Sequence, residues 1–462
     1  MEIYRAVISL ATREGAETEI FLLKRDLKSI RASKNEIVEA QNIVEEGAGI
    51  RVIKDGSMGF SATNNLEDSS LEKAFRSALR MAKVSRRNPK WSGLPRKMDN
   101  IGEQIPLQSY DAELASKSLE EITELVLRML KQIDAGNQTN YTLTCALMVL
   151  TEEFSILNSH GFEHFSEPST LLFSRTITDA SEGAKYSTAT KQFCSHKLSE
   201  FIPEKEVFET SRSATDRLSL PQKRIPKSSC DIILSPESVG AFAAYLLTPM
   251  IIGRSVEQGV SCFTNMLNTK VSADSFSLRD DGHLKGGIGS ATIDDEGTPT
   301  RETKIVERGT LRGFLYDTLS ACWSDTSSTG NARRASDALG RTYLAPPEPT
   351  PTNLVVESGD FSPEELVEET KHGVLIDSIN YTFHLVPERG YFNMTSNFPS
   401  LIIENGEIEA CTQNISISDE LCKTLMKIGG IGKNVGQFAF LGSIMTSVPH
   451  LKINNMPISY AS

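Results

Sequence analysis

The sequence predicts an α+β protein of two domains, an N-terminal mixed-sheet domain and a strand-rich C-terminal domain. Three observations carry that expectation. Apolar and polar residues alternate between turn signals through most of residues 19–65, as half-buried antiparallel strands require. Well-capped single helices follow the strand runs in both halves. At 462 residues the chain exceeds what one compact core holds, and the Pro- and Lys-rich stretch "PQKRIPKSS" offers a boundary. The expected division is 1–220, with subunits about 1–95 and 105–220, and 228–462.

Taken in order, the chain opens with a helix over about residues 2–13. Three strands follow, with Asp55-Gly56 as a hairpin turn. "SSLEKAFRSALRMAKVS" then sets Leu71, Phe75, Ala78, Leu79 and Ala82 at helical spacing behind a serine cap. In "SLEEITELVLRMLKQIDAG", Ser118 and Glu121 form a capping box and Gly136 supplies the stop. Strands are expected over about 141–150, 152–158 and 162–178, with "NSHG" turning between the last two, and a helix over about 203–217. The C-terminal half begins with the strand "CDIIL" and the helix of "SPESVGAFAAYLL". "SPEELVEE" reads as a single capped helix, and Asn405-Gly406 suits a type I′ hairpin turn.

Composition excludes several classes. With 39% hydrophobic and 23% charged residues, the chain is that of a globular protein. A net charge of −12 repels phosphate backbones and argues against nucleic acid as a main partner. The longest apolar run, "VGAFAAYLLTPMII", is too short to span a bilayer and is broken by Pro249, so no membrane partner is expected. The N-terminus lacks a cleavage-site pattern, which places the chain in the cytoplasm as an expectation. Seven cysteines without a CxxC pair argue against a disulfide framework and a zinc ribbon; reduced, partly buried thiols are expected.

Candidate chemistry is sparse. His160 and His164 stand four apart, a metal-binding spacing on a helix, but "NSHGF" reads as a turn entering a strand, where the spacing does not chelate. "CSH" at 194–196 reads as surface chemistry. No Ser-His-Asp order or G-x-S-x-G elbow is present. "GGIGKNVG" and "GHLKGGIGS" lack the GK[ST] ending of a phosphate cradle and read as tight turns. The carboxylates of "IDDEGTPTRETKIVERG" suggest either a divalent-cation site or a solvated turn of Asp294, Asp295 and Glu296 ahead of a strand, with Gly309 at the next hairpin tip. The turn is the favoured reading.

Several stretches together resemble one family. "EEGAGIRVIKDGSMGFSATN", "LTPMIIGRSVEQGVS", "IDDEGTPTRETKIVERGTLRGFLYDT", "STGNARR", "PTNLVVESGD" and "FPSLIIENGE" are similar, in this order, to blocks of the TldD/PmbA proteins, once named as modulators of DNA gyrase. The resemblance covers about 20–460. It implies a cytoplasmic peptidase system of two related subunits, with a C-terminal domain of the TldD/PmbA type. The TldD-type subunit carries a metal through HExxxH and a distant Cys; the TldE (PmbA) subunit lacks the motif. Placed on that motif, the first His falls at Pro236, the Glu at Glu237, the second His at Ala241 and the Cys at Ile431, ahead of Gly432-Lys433.

Proline, alanine and isoleucine offer no ligand atom. Glu237, expected at an exposed helix start, then has only a capping role: Ser235 as N-cap, Pro236 at the first helical position, and a carboxylate complementing the helix dipole. Ligands five apart require a widened helical turn, which Gly240 suits. The implied function is a non-catalytic TldE-like subunit that pairs with a TldD-like metalloprotease on peptide or unfolded substrates. No cofactor is expected in this chain; zinc or another divalent metal is expected in the partner. The rivals are a stand-alone peptide-binding scaffold and a metal-independent enzyme using the "DDEG" stretch.

Overall fold

The computed structural model describes residues 2–96, 109–133, 139–225, 228–336 and 339–460. The N-terminal half is built on one seven-stranded sheet. Its strands are β1 (Glu17–Ser33), β2 (Glu36–Lys54), β3 (Ser57–Thr63), β4 (Asn140–Asn158), β5 (Glu163–Phe165), β6 (Ser169–Glu182) and β7 (Lys185–Ser195). They lie in the order β3-β2-β1-β4-β6-β7, with β5 paired to β4. The β1–β4 pairing joins residues from before and after the 97–108 stretch in a single sheet. Asp55 and Gly56 both have positive φ, 54° and 78°, as the β2–β3 turn demands.

Period-two alternation sends successive side chains of β1 to opposite faces. Ile20 joins a helix-covered cluster, whereas Phe21, Leu23 and Leu27 face the C-terminal half. The helical layer comprises α1 (Glu2–Arg13), α2 (Asp68–Ala82), α3 (Ala112–Ser116), α4 (Leu119–Ile133) and α5 (Pro203–Ser219). Leu71, Phe75, Ala78, Leu79 and Ala82 of α2 are buried as their spacing predicts. The serine cap is not used. Glu67 is the N-cap and makes no side-chain bond to the helix, because Asn65 already turns the chain by accepting the Glu67 N–H at 2.9 Å. The Ser118–Glu121 capping box is present, with reciprocal bonds of 2.8 and 3.2 Å. Gly136 lies outside the described residues.

β4 corrects a second expectation. Residues 141–158 form one strand, not two, because β4 is paired on both sides and its polar break, Thr151-Glu152, is carried into the interior by a partner for Glu152 far along the chain.

In the C-terminal half a nine-stranded sheet has β8 (Ser229–Leu234) near its centre, parallel to His372–Ile376 and antiparallel to Leu451–Tyr460. A six-stranded sheet runs from Thr310–Leu311 to Gly436–Phe440. Between them lies the largest core cluster, which includes Ile232 and Val374 from one sheet and Leu354 and Val448 from the other. The helix α6 (Pro236–Phe242) enters this core directly after β8, burying Val239 and Phe242. The Asn405-Gly406 turn has φ of 51° and 86°, and the helix Pro363–Glu368 is capped as expected, here by a reciprocal Ser362–Glu365 box. "GGIGKNVG" is in part a strand: Ile428–Ile431 pairs with Leu451–Tyr460, where a Cβ on Gly429 would lie 2.2 Å from Asn454 Nδ2. Among the described residues no helix is long and apolar enough to cross a membrane.

Candidate functional site

The start of α6 is built as its sequence dictates. Ser235 Oγ accepts the Ser238 N–H at 3.4 Å and donates to Asp377 O at 2.8 Å, and Pro236 occupies the first turn, where a missing N–H costs nothing. Glu237 follows, but it is not exposed. It is 8% accessible and meets Arg175 of β6, whose Nη1 lies 2.9 Å from Glu237 Oε1. Arg175 Nη2 also donates to Ser378 Oγ at 3.3 Å. Burial pushes the Glu237 carboxyl up, opposed by Arg175, the Ser378 hydroxyl and the Gln192 backbone N–H. The acid thus ties the C-terminal half to the N-terminal sheet, a role that sequence reasoning missed because Arg175 lies 62 positions upstream on a separate strand.

Glu237 lines a cavity of about 430 Å³ between the two halves, together with Arg175, Ala241, Tyr245, Met148 and Phe440. Of the four motif positions, Glu237 and Ala241 come together here. Pro236 packs beside Gly436, and Ile431 is buried on Ile428–Ile431 against Gly359, outside the cavity lining. A widened turn is present, but it begins three residues after Gly240, over Ala243–Leu247, with Thr248 Oγ1 donating to Ala243 O at 3.2 Å. Gly240 sits in regular helix; a Cβ there would lie 2.7 Å from Phe440 Cε2 and 2.8 Å from Thr446 Oγ1. Its role is close packing rather than helix distortion.

The residues present do not fit a metal held at the motif positions. Three carry no donor atom, and the one carboxylate is engaged by a guanidinium. Among the described residues no group of three or more His, Cys, Asp or Glu is placed to hold a metal ion. His160 instead bonds Glu17 through Nε2 at 2.7 Å, and His164 stands in β5 beside Phe154. Cys194 and His196 are partly buried between the halves, not surface groups. All seven cysteines are free.

The acidic stretch overturns the solvated-turn reading. Its geometry is a turn, with Gly297 at φ 88°, but Asp294, Asp295 and Glu296 are 4%, 1% and 0% accessible. They belong to a buried charge lattice that joins the halves. Glu296 pairs with Arg51 of β2, which also lies 2.6 Å from Glu19 of β1; Glu19 in turn binds Arg334. Arg341 holds Asp295 at 2.7 Å and pairs with Glu152 of β4. Asp294 accepts the backbone N–H groups of Thr298 and Ala332 at 2.8 and 3.1 Å. Burial opposes ionisation of Asp295, but Arg341 and Arg333 overcome it and hold its carboxyl below the usual range. Burial and the Glu296 charge push Asp294 well above it. These carboxylates are engaged by protein donors and serve cohesion.

Asp280, beside this lattice, gives a pH test. Burial raises its carboxyl from 3.8 to about 7, against the pull of Asn331 and Thr352. An acid with a raised folded-state pKa binds its proton more tightly in the fold, so its contribution is full below about pH 4 and is lost as pH rises towards 7. Asp280→Asn removes that titration. The stability of the native chain relative to the variant should fall by a few kcal/mol between pH 4 and 7.5, at about 1.4 kcal/mol per pH unit. Urea unfolding at both ends of the window checks it; a constant difference contradicts it.

The second half sets this helix between two sheets, facing a cavity shared with the first half. The chain belongs to the PmbA/TldD metallopeptidase family: the family model described as the PmbA/TldA metallopeptidase C-terminal domain matches residues 227–460, and that of domain 1 matches residues 18–82. A metalloprotease of Methanothermobacter thermautotrophicus is 26% identical over 92% of both chains. A metalloprotease PmbA homolog of Haemophilus influenzae is 23% identical over 93% of this chain and 90% of that one. The crystal structure of TldE from Thermococcus kodakarensis superposes with a TM-score of 0.86 at 22% identity, covering 99% of this chain and 100% of that one.

Proposed function

We propose that this chain is the non-catalytic, TldE/PmbA-like subunit of a two-subunit cytoplasmic metalloprotease, pairing with a TldD-like homologue that carries the metal. The carrying observation is the pairing of Glu237 with Arg175. In a metal site of this type the glutamate polarises the attacking water. Here its oxygen faces a guanidinium, and Pro236, Ala241 and Ile431 supply no ligand. The fold around the motif is kept while the chemistry is gone, which supports retention for assembly and for enclosing peptide. The two bodies of the subunit, in this reading, are 1–220 and 228–462.

Metal analysis after dialysis against a weak chelator, with an unstructured peptide assayed in parallel, tests the silent site. The expected result is far less than one metal per chain and no hydrolysis by the isolated chain. Near-stoichiometric metal, or turnover by the isolated chain, overturns it.

A further inference from the structure

A second cavity, of about 450 Å³, lies where β4, β5 and β6 face residues 288–293, Arg333 and Arg341. The apolar cluster of Leu27, Leu150, Leu171, Ile288, Leu339 and Met445 stands between the halves here and contributes to its wall. Arg333 adds its charge to Asp295, Glu152 and Asp280 through space, but among the described residues none of them bonds it. Arg51, Arg334 and Arg341 are each matched to carboxylates. The Arg333 guanidinium has no hydrogen bond or ion pair with any described residue, and its Nε is cut off from solvent.

The acids around it are already engaged. Glu152 accepts the Arg341 N–H at 3.0 Å and Asp295 the Arg334 N–H at 2.7 Å, besides their bonds to the Arg341 side chain. Asp280 takes Asn331 at 2.6 Å and Thr352 at 2.7 Å. Arg51 and Arg334 also have an unbonded Nε, but each is paired with a carboxylate; Arg333 bonds none, and an anion in the cavity would supply the missing acceptor.

His196 on the same cavity narrows the anion's chemistry. Its Nδ1 bonds the carbonyl of Thr170, which can only accept, so Nδ1 carries the hydrogen. Burial holds the ring below its usual range, opposed by the carbonyls of Thr170, Gly287 and Ile288 and by the Glu200 charge. With Nδ1 holding the hydrogen of the neutral ring, Nε2 is an acceptor; it too is cut off from solvent and has no hydrogen-bond partner among the described residues. An acceptor calls for a donor, N–H or O–H, and acetate has neither. Glu152 and Glu167 on the wall further disfavour a dianion.

We infer that this cavity binds the C-terminal carboxylate of a peptide, with Arg333 as a planar fork on the carboxylate, His196 Nε2 accepting the terminal residue's N–H, and Leu150, Phe154, Leu171 and Ile288 receiving its side chain. This rests on the peptide-handling reading above for the class of ligand, but needs neither partner nor metal.

Calorimetric titration of the isolated full chain with acetyl-Ala-Ala-Leu as free acid, the same peptide as the C-terminal amide, and sodium acetate is the test. The free acid should bind at least roughly tenfold more tightly than the amide or acetate, and Arg333→Gln should lose roughly tenfold with its melting temperature retained. Equal binding of acid and amide, binding of acetate as tight as that of the peptide, or no binding of the acid at millimolar concentration overturns the inference. If Arg333→Gln does not fold, the acid–amide comparison on the native chain decides. An inactive mixture with a metal-bearing homologue would count against the subunit reading while leaving this result standing.

Discussion

Arg51→Met should cost about 3–5 kcal/mol of stability, the usual consequence of removing one partner from a buried ion pair. Arg51 is 1% accessible and bridges two carboxylates that are 0% accessible, Glu19 on β1 and Glu296 in the C-terminal half. Glu19 would keep Arg334. Glu296 would keep only the Thr318 N–H, at 2.8 Å, and its charge already raises the carboxyls of Asp294 and Asp317. Three acids would then share a dry site with one cation fewer. Adding Glu296→Gln to Arg51→Met should restore part of the loss, because it removes the stranded charge. Urea unfolding of both variants measures this; a loss below about 1 kcal/mol for Arg51→Met contradicts the lattice as a clamp between the halves.

Glu237→Ala should cost about 2–3 kcal/mol. That is less than a fully buried pair, because Arg175 is 26% accessible and partly screened. Helix capping alone would give about 0.3–1 kcal/mol, so the measurement separates a capping acid from an interdomain clamp. A cycle with Arg175→Met should return a coupling of about 1–3 kcal/mol. In an assembled complex Glu237→Gln should leave peptide hydrolysis within a few-fold of the native rate. A hundredfold fall with the fold intact would make Glu237 a catalytic group.

Local order was legible in the sequence where local chemistry decides it. The Asp55-Gly56 and Asn405-Gly406 turns, the apolar stripe of α2, the Ser118–Glu121 and Ser362–Glu365 capping boxes and the Ser235-Pro236 helix start all depend on neighbours within four positions. The burial of charge was not legible. Asp294, Asp295 and Glu296 look like a solvated turn because the cations that pair with Glu296 and Asp295, Arg51 and Arg341, come from other strands and loops, 245 positions away for the Arg51–Glu296 pair. Glu237 misled for the same reason. One signal was present: four arginines, at 25, 31, 51 and 175, fall within strand-like runs, where a long charged side chain that is not on a solvated face must find a distant acid. Of these, Arg25, Arg51 and Arg175 reach residues of the C-terminal half.

In the proposed assembly this chain contributes a fold and its partner the metal. Size-exclusion chromatography with light scattering, on this chain mixed with a cognate homologue carrying HExxxH and followed by peptide assays on each fraction, tests it most directly. One co-eluting species should form, burying roughly 1,200 Å² or more in total, with peptide hydrolysis confined to it or strongly raised in it. Two separate peaks at micromolar concentration, with the homologue fully active alone, would contradict the claim and leave a stand-alone peptide-binding protein.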